Sequence, residues 1–240
     1  DALPLLKRVS GDRIRHELEQ IFREVQPEQA LARLEELGVL AYIHPGLHCD
    51  RWLRARYRAL RTSLNREAWG LKPEDDLFLH LALLAYRLDA GGVGELSARL
   101  KVARGDGADL RLLPTLRETL PDLARARRPS AVYRLLEPYP ARVLAVAWLA
   151  TDSRRLRERL LRYQTEWRLV KLELTGDDLK AMGLKPGPLF GRLLGALHEA
   201  RLDGRVRTRQ QEEALLQRLL SAEHKTDERT RELGDKESTG

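Results

Sequence analysis

The chain has 240 residues, a formal net charge of +7, a third of its residues charged and only 5% aromatic, a length and composition that suit a sizeable helical core rather than a fibre or a disordered tract. Its one cysteine, Cys49, excludes an internal disulfide framework and fits a reducing cytoplasm. No apolar run reaches membrane-spanning length and no signal peptide opens the sequence, so a soluble, cytoplasmic protein without membrane contact is expected.

The charge is unevenly placed. Residues 223–240 hold six acidic and four basic residues, which leaves +9 on residues 1–222. Most of that excess is arginine, whose planar fork suits phosphates, so a polyanionic partner is expected. The first residue is Asp1 and the first segment reads as the middle of a longer polypeptide.

Residues 9–24 have Ser10 as an N-cap, with Ile14, Leu18, Ile21 and Phe22 at helical spacing. Arg13 and Glu17 are four apart and share a face, where they can pair. Pro27 starts a second helix whose apolar side is Ala30, Leu31, Leu34 and Leu37, ended by Gly38. Residues 40–47 (LAYIHPGL) read as a short turn. His44 and His48 lie four apart beside Cys49 and Asp50, but Pro45 and Gly46 break the helix that would bring both imidazoles to one side, so no metal site is expected.

Residues 49–68 form the most basic segment. Leu53, Tyr57, Leu60 and Leu64 make an apolar stripe; Arg51, Arg54, Arg58 and Arg61 make a second, and residues 51–61 contain no acid. Such a ridge points to RNA, or else to a solvated face. Trp52 and Trp69 are expected in the helix packing, with base stacking as the alternative. Residues 74–88 predict a central apolar helix carrying Leu77, Leu81, Leu84 and Leu88, with His80 in or near the core.

Residues 89–95 (DAGGVGE) read as a loop. Gly91 and Gly92 superficially resemble the glycine element of a nucleotidyltransferase head, but that element needs two carboxylates one residue apart to hold two divalent ions. The next acids, Glu95, Asp106 and Asp109, lack the spacing. Short helices broken at Gly105, Gly107, Pro114 and Pro121 follow. Arg127 and Arg128 precede Ser130, which is expected to cap a helix; Pro138 and Pro140 lead into an apolar helix ending near Trp148. From Asp152 to Lys171 a long helix is expected, with Leu156, Leu160, Tyr163 and Trp167 on its packed side and Arg155, Arg159 and Arg162 on another.

Residues 174–204 (LTGDDLKAMGLKPGPLFGRLLGALHEARLDG) predict a short helix capped by Thr175, with Leu179 and Met182 buried, then a Gly183/Pro186 turn and a longer helix opened by Gly187 and Pro188. Unpaired amides at the mouth of the second helix, with Lys180, Lys185 and Arg192 near, form a plausible phosphate cradle. The pattern also fits an ordinary capped hairpin. A last helix, Arg209–Leu220, carries Ala214, Leu215 and Leu219, and residues 223–240 are too polar for a core and are expected to be disordered.

Residues 174–204, with Glu212 and Glu213, resemble the C-terminal segment of bacterial tRNA nucleotidyltransferases and poly(A) polymerases, whose pattern runs approximately LTGxDLxxxGLxPGPxxGxxLxxLxxAxLDG before a glutamate-rich helix. Arg13 and Glu17 match that family's RxxxE neck motif, taken to brace the neck helix, and residues 127–150 resemble its RNA-binding region. The resemblance covers roughly residues 9–220. It implies an all-α protein in serial order: neck (1–48), body (49–151), tail with helix hairpin (152–222) and disordered end (223–240). It further implies tRNA as partner, gripped on its acceptor and T-arm backbone, and an N-terminal head that supplies the catalytic aspartates and uses Mg with ATP or CTP. This chain has no such element and no cofactor is expected in it; complete as given, it would bind RNA and transfer nothing. The RNA-binding candidates are Arg51, Arg54, Arg58, Arg61, Arg127, Arg128, Arg155, Arg159, Arg162, Lys180, Lys185, Arg192, Arg205 and Arg207, the α-helical row at 155–162 and the hairpin being expected to line one groove. A helical module for an acidic protein, or a helix-hairpin-helix module for DNA, are the alternative expectations.

Overall fold

The structure, a computed structural model, describes the backbone of residues 9–237 and the side chains of residues 9–223. Every regular element among them is helical: α1 (Gly11–Phe22), α2 (Pro27–Glu36), α3 (Val39–Ile43), α4 (Arg51–Thr62), α5 (Arg66–Trp69), α6 (Asp75–Ala85), α7 (Ala90–Arg99), α8 (Arg104–Leu110), α9 (Leu112–Arg125), α10 (Pro129–Leu136), α11 (Ala141–Ala150), α12 (Arg154–Thr165), α13 (Gly176–Ala181), α14 (Pro188–Leu202) and α15 (Arg209–Glu237). A 3-10 turn, Trp167–Leu169, follows α12. The helices fall into two compact units. One holds the described residues through Ala126 together with Arg134–Thr165; the other holds Arg127–Tyr133 and the residues from Glu166 onward.

The first unit is built around α6 and α11, both apolar on almost every side, with α4, α9 and α12 packed on α11. Surrounding helices turn single apolar faces inward: Leu53, Tyr57 and Leu60 from α4; Leu156, Leu160 and Tyr163 from α12. Tyr57 donates its hydroxyl to the His80 carbonyl at 2.8 Å, the partner a buried phenol requires. Trp69 packs edge-on against Trp148. Arg142 ties three elements of this unit, lying 3.7, 2.8 and 2.7 Å from Asp75, Asp106 and Asp109, with its guanidinium over the Phe78 ring.

Several expectations are corrected. Residues 39–43 form a helix, not a turn, and Asp89 caps α7 where glycines predicted a loop. A Cβ at Gly92 would lie 3.2 Å from the His44 ring, so the glycine serves helix packing. Pro121 sits inside α9 rather than ending it. The long helix expected to reach Lys171 ends at Thr165, and it belongs to the first unit rather than to the tail.

The second unit has its own core of Leu174, Leu179, Leu193, Leu197 and Leu216, flanked by Leu184, Leu189, Phe190 and Leu215. Thr175 and Asp178 close a capping box over α13, and Gly183 ends the turn after it at φ 85°, a conformation that favours glycine. Met182, expected in the core, is 43% exposed, because the helix ends at Ala181 and the chain turns outward there. On α15 Glu212 and Leu216 are buried and Leu215 and Leu219 pack against the core, whereas Ala214 is exposed. That helix continues through Glu237 instead of giving way to disorder at 223. Its Glu, Lys and Arg residues are good helix formers, so low apolar content denies the segment a core without denying it a helix. Residues 1–8 of the expected neck and 238–240 of the expected tail end lie outside the described residues.

Candidate nucleic-acid interface

The arginine ridge of α4 begins at a rigid point. The Asp50 side chain accepts from the Leu53 amide at 3.1 Å and pairs with Arg87 at 2.7 Å, fixing the first turn. Burial raises the Asp50 carboxyl, but the bonds from Arg87 and the helix amide outweigh it and hold the group below the usual range. Arg56, on the inner side, is buried; it donates to the Leu149 carbonyl at 3.3 Å and to Asp152 at 2.5 Å. Trp52 stacks on Tyr86 and receives the Arg87 guanidinium over its ring at 4.9 Å. The inner face of α4 is therefore pinned, which fixes where its outer arginines stand.

Along that outer face the four candidates differ. Arg51 and Arg58 are exposed and, among the described residues, have no ion-pair or side-chain hydrogen-bond partner. Arg54 is exposed and leans back through Nε to the Cys49 carbonyl at 3.3 Å, keeping its charge uncompensated. Arg61 is neutralised: both of its terminal nitrogens lie 2.7 Å from the Glu28 carboxylate of α2. A stripe read as acid-free along its own helix is thus crossed at one end by a carboxylate from another, a contact that spacing within residues 51–61 cannot reveal.

The α12 row is also uneven. Arg155 is exposed without a partner among the described residues, and Arg162 is exposed. Arg159 turns inward instead and donates Nη1 to the Leu123 carbonyl near the end of α9, satisfying a helix-end acceptor. In α1 the expected Arg13–Glu17 pair does not form; both residues are exposed, and the i,i+4 pair made there is Arg15–Glu19 at 2.6 Å. Among the described residues no cluster of ligands suits a metal ion, and His44 instead accepts from the Gly46 amide at 3.1 Å.

In the second unit, Ser130 does not cap α10. Its amide and hydroxyl both donate to the Asp203 carboxylate at 3.0 Å, so the aspartate after α14 caps α10, leaving Arg127 and Arg128 exposed just ahead of it. Asp203 also lies 3.9 Å from Arg205, and Arg207 is exposed. At the hairpin, Lys180 is held 2.8 Å from Asp177 and Arg192 3.3 Å from Glu223, while Lys185 is exposed with no partner among the described residues. The expected cradle therefore keeps one uncompensated cation of three.

The fully buried Glu212 organises this unit. One carboxylate oxygen accepts from the Glu173 and Leu174 amides at 3.0 and 2.9 Å, and the other from Arg201 at 2.7 Å. Arg201 reaches on to Glu173 at 2.9 Å, and Arg209 joins Asp178 at 2.6 Å. The Thr175 hydroxyl, followed by Arg209, holds the Asp178 carboxyl well below the ordinary range. Sequence reasoning points to Glu212 only as part of a glutamate-rich helix; the spatial link from α15 back to the residues before α13 leaves no local trace.

Residues 1–50 match the family described as the probable RNA and SrmB-binding site of polymerase A. The A-adding tRNA nucleotidyltransferase of Geobacter sulfurreducens (strain ATCC 51573 / DSM 12127 / PCA) is 31% identical over 227 residues, 90% of this chain. Over most of its length the chain is similar to part of a tRNA nucleotidyltransferase. It spans 26% of the Geobacter relative. The fold agrees with solved structures: the Thermotoga maritima CCA-adding enzyme complexed with tRNA(CCA) superposes at a TM-score of 0.67 with 20% identity, over 90% of this chain and 52% of that one. A CCA-adding enzyme in apo form II gives 0.71 with 20% identity, over 92% and 52%. In this chain, then, Thr175, Asp178, Asp203 and Glu212 hold the fold, and the solvent-facing cations are what remain for a ligand.

Proposed function

We propose that this chain is the tRNA-binding part of a nucleotidyltransferase that builds or repairs the 3′ CCA end, and that a separate head, using Mg with ATP or CTP, performs the transfer. The observation that carries the reading is the outer face of α4, where Arg51, Arg54 and Arg58 stand exposed, with no ion pair among the described residues, on a helix whose inner side is pinned. Arg51 to Arg58 is two turns, about 10 Å along the axis. Holding such charges together is repulsive unless an anion meets them. A-form RNA offers phosphates and 2′-hydroxyls while hiding its bases, so contacts of this kind select duplex shape, such as the acceptor and T-arm backbone, over sequence. Arg127, Arg128 and Arg155 add exposed cations, and Lys185 adds one at the hairpin. Arg61, Arg159, Lys180 and Arg192 are assigned mainly to the fold, since each is already bonded within the protein.

Gel shifts of the whole chain with labelled tRNA test this directly. The expected result is a complex that equal amounts of duplex DNA do not displace and that Arg51→Ala, Arg54→Ala and Arg58→Ala together weaken. Displacement by DNA would favour a helix-hairpin-helix DNA module. Absence of a tRNA complex, with an acidic protein retained after nuclease treatment, would favour a protein-interaction module.

A further inference from the structure

The end of α1, the end of α4 and the start of α6 enclose an open cleft of about 650 Å³ within the first unit, a size typical of small-molecule sites. Phe22, Pro73 and Leu77 give it apolar wall. Two of its three arginines are already committed, Arg61 to Glu28 and Arg66 to Asp76 through bonds of 3.0 and 3.2 Å. Arg23 and Glu24 are exposed and without side-chain partners among the described residues, and Glu74 makes only a long, exposed ion pair with Lys72 at 4.0 Å.

His80 completes the lining. It is 7% exposed, and its Nδ1 lies 2.7 Å from the Asp76 carbonyl, to which it must donate. The proton then sits on Nδ1, leaving Nε2 as an acceptor. Nε2 has no partner among the described residues, yet it is not one of the sealed unpartnered atoms, so it reaches solvent. Burial pushes the imidazole pKa down despite the Asp76 bond, which keeps the ring neutral and the lone pair available.

One neutral nitrogen acceptor, two carboxylates without hydrogen bonds (Glu24, and Glu74 in its long pair with Lys72) and one free guanidinium beside an apolar wall do not suit a phosphate, because the charged groups lining the cleft that are not hydrogen-bonded sum to an anion. They suit a planar, uncharged ring with N–H donors along one edge and acceptors on another. Arg61 lines the cleft and Arg58 is the residue one turn earlier on the same ridge, so RNA held along α4 brings a nucleoside to this opening.

We propose that the cleft binds an unpaired nucleobase of the bound RNA, with His80 Nε2 and the Glu24 and Glu74 carboxylates accepting its N–H groups and Arg23 donating to its ring acceptors. Guanine fits best, having adjacent N1–H and N2–H donors on one side and O6 and N7 acceptors on the other. The proposal rests on the tRNA reading for its source of nucleobase, but not for its chemistry.

The whole chain is titrated with guanosine, adenosine, cytidine and uridine while the His80, Phe22 and Leu77 resonances are followed. Guanosine is expected to shift all three saturably and uridine least. The exposed double change Glu24→Gln and Glu74→Gln is expected to weaken guanosine about tenfold or more, through removal of charge-assisted hydrogen bonds, with thermal unfolding unchanged. Absence of any saturable shift, or equal affinity in the double variant, overturns the proposal. If tRNA is bound while nucleosides are not, this inference fails and the tRNA reading stands; the reverse pattern sinks the tRNA reading alone.

Discussion

Arg58 and Arg61 are three residues apart on one helix, and their surroundings give them opposite roles. Arg61 neutralises Glu28, itself only 8% exposed, so Arg61→Ala strands a nearly buried carboxylate and is expected to cost about 1–3 kcal/mol in urea unfolding. Arg58→Ala should leave that midpoint within error and weaken tRNA binding instead. Glu212→Ala removes the acceptor for two amides and Arg201; losing one partner of a buried pair costs about 3–5 kcal/mol, measurable as selective loss of structure in the second unit. Glu28 and Asp178 set an acid limit. Burial raises the Glu28 carboxyl, but the Arg61 bonds outweigh it, and Asp178 is lowered by Thr175 and then Arg209. Both folded values fall below the ordinary 4.5 and 3.8. Their contribution is therefore complete above those values and is lost as pH falls through and below them. Unfolding midpoints should drop steadily below about pH 4.5, and Glu28→Gln should flatten part of that drop.

At the scale of elements, the helices with strong local punctuation were legible. Ser10 before α1, Pro27 opening α2, and the Thr175, Gly183 and Pro188 series around α13 and α14 all act where their side chains and backbone preferences predict. What failed to show were features decided across space. Three glycines hid α7, although Asp89, whose side chain accepts from the Gly92 amide at 2.7 Å, was a usable start signal. Ser130 looked like a cap and is instead capped by Asp203, seventy-three residues away. The candidate site divides on the same line: exposed Arg51, Arg54 and Arg58 follow from helical spacing, whereas the bonds that absorb Arg61 and Arg159 come from other helices. Gly11 is a further case. A Cβ there would stand 1.9 Å from the Arg99 carbonyl oxygen, so Gly11→Ala must push α1 off the end of α7. The expected cost is about 1–3 kcal/mol, read as a lowered thermal midpoint.

For the whole molecule, a surface of uncompensated guanidinium groups implies binding governed by counterion release. Removing one phosphate-binding cation should lower the slope of log affinity against log salt by about one. The decisive measurement is tRNA affinity of the intact chain across low to physiological salt, beside the variant carrying Arg51→Ala, Arg54→Ala and Arg58→Ala. The account predicts a steep fall for the unmodified chain and a slope shallower by about three for the variant. Affinity that does not change with salt, or identical slopes for the two proteins, would contradict it.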